Sequence, residues 1–236
     1  MEDFRQWKFG VIYNCRGTLK LFYLVEASSC AVVTLCLRGK VCQKIQGVIL
    51  HSRLMETLRR IYNPIQKDYV TFLKTSAETG GRYTLVEVEL SPKGGVGLHY
   101  HKTYSEKFDC QEGELKVQAG KRIHTLLPGN SITATPNINH RFFNTSENVC
   151  KFKVELRPAS AGFEKSLQIG YGLARDGQTN SKGFPKNKLA LAWLFEISES
   201  NLPGWMSLFE FILRKQAKKA KALGLDRELI ARYVKF

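Results

Sequence analysis

Turn signals recur at short intervals through the middle of this chain: Gly94-Gly95, Glu112-Gly113, Ala119-Gly120 and Pro128-Gly129. Between and around them lie runs rich in β-branched and aromatic residues. Tyr83-Thr-Leu-Val-Glu-Val-Glu-Leu alternates in parts, and Ser131-Ile-Thr-Ala-Thr, Arg141-Phe-Phe and Lys151-Phe-Lys-Val-Glu-Leu follow. Short strands divided by regular turns predict a β sandwich or barrel over residues 61–160.

The two flanks read differently. Residues 161–236 shift to a helical period. Ser160 and Gly162 open a helix through Phe163-Glu-Lys-Ser-Leu-Gln-Ile, and residues 176–187 form a polar loop. Leu189-Ala-Leu-Ala-Trp-Leu-Phe is apolar on all sides and predicts a buried helix. After Pro203, residues Trp205, Leu208, Phe209 and Ile212 mark one helical face, followed by Lys215, Lys218, Lys219 and Lys221. Gly224 ends that helix, and Asp226 is expected to cap the last one. Residues 1–60 carry neither sustained alternation nor a helical stripe. Either they fold as a small N-terminal element, or translation naturally begins at Met55 and residues 1–54 lie upstream of it.

The 236 residues carry a formal charge of +15. The excess is +6 in residues 1–60 and +6 in 161–236, but only +3 in the middle, so it belongs to the ends. A basic balance admits nucleic acid, an anionic membrane or an acidic substrate. The chain has no helix-turn-helix, zinc-finger or ribonucleoprotein-type motif, and no nucleic-acid partner is expected. The lysine-rich helix is expected to pack on the barrel or a partner subunit; contact with an anionic membrane surface is the less favoured arrangement. The start Met-Glu-Asp-Phe lacks the basic region of a signal peptide. The most apolar stretch, 21–37, is interrupted by Glu26 and falls short of the roughly 20 residues of a spanning helix. Six cysteines at 15, 30, 36, 42, 110 and 150 form no Cys-x-x-Cys pair. They read as reduced thiols of a cytoplasmic protein.

Histidines carry the chemistry. His99-Tyr-His101 puts two imidazoles on one side of a strand, because side chains alternate. Glu106 follows at the entry to the next predicted strand, and His140 comes much later. Three imidazoles and one carboxylate converging in a barrel suit iron, nickel, copper or zinc, and the carboxylate adds manganese. Glu106 serves either as ligand or, with the metal on histidines alone, as general base; spacing favours the ligand. His124 either lines the pocket or faces solvent, and His51 is assigned no role. Tyr104, Phe108, Phe142 and Tyr171 either pack the core or shape a pocket. Arg141 points away from the His140 face.

The segment Gly94-Gly-Val-Gly-Leu-His99-Tyr-His101-Lys-Thr-Tyr-Ser-Glu106-Lys-Phe-Asp-Cys-Gln-Glu-Gly113 resembles the first cupin motif, G-x5-H-x-H-x3–4-E-x6-G. Gly94 stands one residue nearer His99 than the pattern has it. Pro136-Asn-Ile-Asn-His140-Arg-Phe-Phe-Asn144 resembles the second, P-x-G-x2-H-x3-N, with Ile138 in the glycine position and one residue fewer before His140. The resemblance spans residues 80–160, and the whole chain is similar to small bacterial single-cupin proteins with a helical C-terminal extension. It implies a mainly β fold, a double-stranded β-helix (jelly-roll, RmlC-like) barrel, with C-terminal α-helices added. It implies His99, His101, Glu106 and His140 as ligands of a divalent metal ion, and a homodimer.

No nucleophile elbow, phosphate loop or dinucleotide fingerprint is present, so chemistry would rest on the metal. The expected function is a metal-dependent enzyme acting on a small organic substrate, by dioxygenase-like oxidative cleavage first and isomerisation second. The alternative is a non-catalytic module that binds a small molecule or sugar.

Overall fold

The computed structural model describes residues 9–13, 19–23, 32–34, 59–204 and 210–236. The chain divides into two units, Met1–Thr57 and Leu58–Phe236. The first contains a three-stranded antiparallel sheet of β1 (Phe9–Tyr13), β2 (Leu19–Tyr23) and β3 (Val32–Thr34), a local order that its sequence pattern did not announce. The expected start at Met55, His51, and the helical face through Trp205, Leu208 and Phe209 lie outside the described residues.

The second unit begins with nine strands. They are β4 (Arg60–Asn63), β5 (Asp68–Lys74), β6 (Thr84–Leu90), β7 (Ser105–Glu112), β8 (Leu115–Ala119), β9 (Arg122–Leu126), β10 (Ser131–Ala134), β11 (His140–Phe143) and β12 (Cys150–Arg157). One sheet has the order β10-β7-β12-β6-β5-β4 and the other β11-β8-β9, antiparallel throughout. This is the expected jelly-roll barrel. Strand β6 shows why it forms: Thr84, Val86, Val88 and Leu90 are buried while Leu85, Glu87 and Glu89 face outward, the period-2 pattern of a half-buried strand. Its neighbour β12 repeats the pattern with Phe152, Val154 and Leu156. Side chains of both sheets meet in one core that includes Phe72, Phe108, Leu115, Val117 and Phe152. Cys110 and Cys150 lie in it as free, buried thiols.

Among the described residues four helices follow: α1 (Ala161–Arg175), α2 (Lys188–Ser198), α3 (Glu210–Ala222) and α4 (Leu225–Tyr233). Ser160 caps α1, its Oγ accepting from the Phe163 N–H at 3.1 Å. Asn187 caps α2 in the same way through Leu189 and Ala190. Asp226 does not cap α4. That helix starts two residues earlier than expected, with Gly224 at its N-cap in the left-handed region (φ 75°). Asp226 instead sits in the first turn of α4, where a carboxylate is favoured by the helix dipole.

The helices build a second core from Ile169, Leu173, Trp193, Ala217, Leu229 and Tyr233. Helix α3 packs on α2 through Ala217 and Ala220, leaving Lys215, Lys218, Lys219 and Lys221 exposed. Two buried side chains of α1 fasten it to the barrel. Glu164 accepts from the Ser76 N–H and the Thr84 hydroxyl, and the Tyr171 hydroxyl donates to Asp68 at 2.7 Å. No helix among the described residues is long and apolar enough to cross a membrane.

Candidate metal centre

The segment between β6 and β7 delivers two of the site's imidazoles. It opens on Gly94 and Gly95 because the backbone passes too close to its neighbours for a side chain. A Cβ on Gly94 would stand 2.7 Å from the Gln66 carbonyl oxygen, and one on Gly95 would stand 2.7 Å from that of Phe142. That close passage seats the segment against β11.

A strand through His99-Tyr100-His101 was expected. The chain instead makes two isolated bridges with different partners, which breaks the ladder. His99 exchanges hydrogen bonds with His140 at 3.1 and 2.7 Å. Tyr100 exchanges them with Asn201, beyond α2, at 3.1 and 2.9 Å. The imidazoles still converge. Ring centroids lie 4.9 Å apart for His99 and His101, 4.5 Å for His99 and His140, and 5.3 Å for His101 and His140. Glu106, at the start of β7 and buried, lies among them. Its carboxylate oxygens are 3.1 Å from His140 Nε2 and 3.5 Å from His101 Nε2.

Each histidine engages a main-chain carbonyl through Nδ1: His99 that of Gly97 (2.7 Å), His140 that of Ile138 (2.8 Å), and His101 that of Glu199 (3.3 Å). A donated Nδ1–H leaves Nε2 as the ligand atom of a neutral ring; His140 Nε2 donates to the Glu106 carboxylate and would give up that proton on binding a metal. Potential ligand atoms of all four residues lie within 4.8 Å of one another. Neutral Nε2 donors beside a carboxylate are a donor set that fits a divalent transition ion, and the cluster could hold one.

The electrostatics agree. Burial raises the Glu106 carboxyl, but His101 and His140 outweigh it and hold the group at about 2, so it is ionised. Burial, with His140 and His101 adding, pushes His99 down to about 4. Burial likewise lowers His101. Burial also opposes charge on His140, yet its hydrogen bond to Glu106 raises it overall.

The structure brings together the four residues singled out in the sequence. Phe142 and Tyr171 line the cavity that opens over the cluster. Phe108 is core. Half-buried His124, on β9, is not among the cavity's lining residues. Arg141 turns away, donating to Gln118 at 2.9 Å.

Missed in the sequence were the supports supplied by the end of α2. Tyr104 stacks on His101 with centroids 4.3 Å apart, and its hydroxyl donates to the Ser198 carbonyl at 2.7 Å. Glu199 adopts the left-handed region (φ 53°) and aims its carbonyl at His101. Main-chain acceptors leave no mark in a sequence. Tyr104→Phe should cost about 1–2 kcal/mol, because the Ser198 carbonyl loses its buried donor. A chemical-denaturation midpoint equal to that of the unaltered protein would refute this.

Comparisons with known proteins follow the same lines. The family model for the cupin domain matches residues 86–156. No curated protein compared with the chain matches it. Among solved structures, KdgF from Halomonas sp. is 14% identical, with a TM-score of 0.37 over 40% of this chain and 82% of its own. An RmlC-like cupin from Shewanella frigidimarina is 18% identical, with a TM-score of 0.38 over 44% and 86%. A sugar phosphate isomerase of the cupin superfamily from Silicibacter pomeroyi is 20% identical, with a TM-score of 0.36 over 42% and 69%. With its two motifs, its jelly-roll strands and the family match in one place, the segment from residue 86 to residue 156 is a cupin domain.

Proposed function

We propose that this chain is a metal-dependent enzyme acting on a small organic substrate, with His99, His101, Glu106 and His140 as the ligands. The observation that carries this reading is the anchoring of all three Nδ1 atoms to carbonyls, beside an ionised buried carboxylate. A divalent ion there would act as a Lewis acid that holds and polarises substrate oxygen atoms. The chain's own part is positional. The carbonyls of Gly97, Ile138 and Glu199 orient the imidazoles, and Glu106 supplies a fixed negative charge. The cavity above would receive the substrate. Dioxygenase-like oxidative cleavage is the leading reaction class and isomerisation the second.

The test is metal content by inductively coupled plasma mass spectrometry, on protein purified without a nickel column. The expected result is near-stoichiometric iron, manganese, nickel, copper or zinc, lost in a His99→Ala/His101→Ala variant. No metal after anaerobic reconstitution would overturn the proposal. Metal without oxygen uptake or product on catechol- and diketone-like compounds would make the chain a binding module.

A further inference from the structure

We propose that the cavity over the cluster takes an apolar organic molecule held by a single oxygen-rich head group, and that it rejects sugars. This deepens, and rests on, the metal-dependent reading above. The cavity measures about 500 Å³, the size of a small organic ligand. Its lining is mainly apolar. His99, His101 and Glu106 form one end. The barrel wall is four valines, Val70, Val86, Val88 and Val154, contributed by β5, β6 and β12. The opposite wall comes from α1 and α2, with Phe163, Leu167, Leu191, Leu194 and Phe195.

Three of the lining hydroxyls already donate within the protein; the Ser200 hydroxyl and the Gln66 amide also line the cavity. Ser166 donates to the Phe163 carbonyl at 2.8 Å and Ser198 to that of Phe195 at 3.5 Å. Tyr171 donates to Asp68. Lys182, exposed, belongs to the loop that also brings Phe184 to the cavity. A sugar would bring hydroxyls on every side. Those against the valine wall would give up water and find no partner, which is costly. An apolar body with oxygens at one end matches the lining.

The probes are pentane-2,4-dione, heptane-2,4-dione, nonane-2,4-dione and D-fructose, titrated calorimetrically into the zinc-loaded and the zinc-free protein. Each buried methylene contributes ~0.8 kcal/mol, so affinity should rise about fourfold per added carbon. D-fructose should show no binding. Zinc should strengthen every diketone by one common factor, a factor lost in His99→Ala/His101→Ala while the chain-length slope persists. Phe195→Ala, in the helical wall, should keep its zinc and flatten the slope. A flat slope in the unaltered protein, or D-fructose binding as tightly as nonane-2,4-dione, overturns the inference even where zinc binds. A steep slope with no zinc uptake sinks the metal reading and upholds the apolar cavity.

Discussion

Asp68→Asn should stabilise this protein above pH 7 and leave it nearly unchanged near pH 4. Asp68 opens β5 and is 1% exposed. The Tyr171 hydroxyl serves one of its carboxylate oxygens, and the other has no hydrogen-bond partner among the described residues. Burial therefore pushes its pKa up to about 7, against the partial relief of the Tyr171 bond. An acid whose folded pKa exceeds its unfolded value holds the extra proton in the native state. Stability is then fully present below about pH 4 and falls as pH climbs to 7. A shift of that size corresponds to roughly 4 kcal/mol across the window. Asparagine keeps an acceptor for Tyr171 and carries no charge to desolvate. Urea denaturation of both proteins at pH 4.5, 6 and 8 isolates the effect, since other titrating groups cancel in the difference. A difference that stays constant across the three pH values would refute the assignment.

Gly162→Ala should cost about 3 kcal/mol, because no adjustable side chain stands in the way of the new methyl. A Cβ there would lie 2.0 Å from the Ile197 carbonyl oxygen and 3.0 Å from its carbon. Helix α1 meets α2 backbone to backbone at this point, so the helices must separate, a form of overpacking. The thermal midpoint should fall on the order of 10 °C for a unit of this size. The chain-length slope of diketone binding should fall with it, since both helices wall the cavity. Gly170→Ala, on the same helix with nothing within 4 Å of its Cβ, is the control. It should stabilise by up to about 1 kcal/mol. Equal behaviour of the two variants would show that the close crossing does not matter.

The parts of the fold that could be read in the sequence share one property: their cause is local. Strands β6 and β12 announce themselves because burial on one face imposes a period of two. The spacing from His99 to Gly113 is readable because a turn and a strand entry fix it over fifteen residues. Hidden elements depend on contacts far along the chain. Tyr100 meets Asn201 across 101 positions, and the carbonyl that holds His101 belongs to Glu199. The sequence pattern marks neither, since main-chain groups are the same in every residue. Asp226 misled for a related reason. An aspartate before a helical run is a good cap in isolation, but the left-handed turn at Gly224 had already set where α4 begins.

The bridge between Tyr100 and Asn201 bears on how such a barrel could be borrowed. Cut out as residues 86–156, the domain would carry away all four side chains of the cluster. It would leave behind the carbonyl behind His101, the acceptor for Tyr104 and half of the cavity's walls. The unit that a gene fusion or a minimal design would have to transplant is therefore longer than the one that likeness outlines. It must include the end of α2, as a lock includes the plate its bolt slides into.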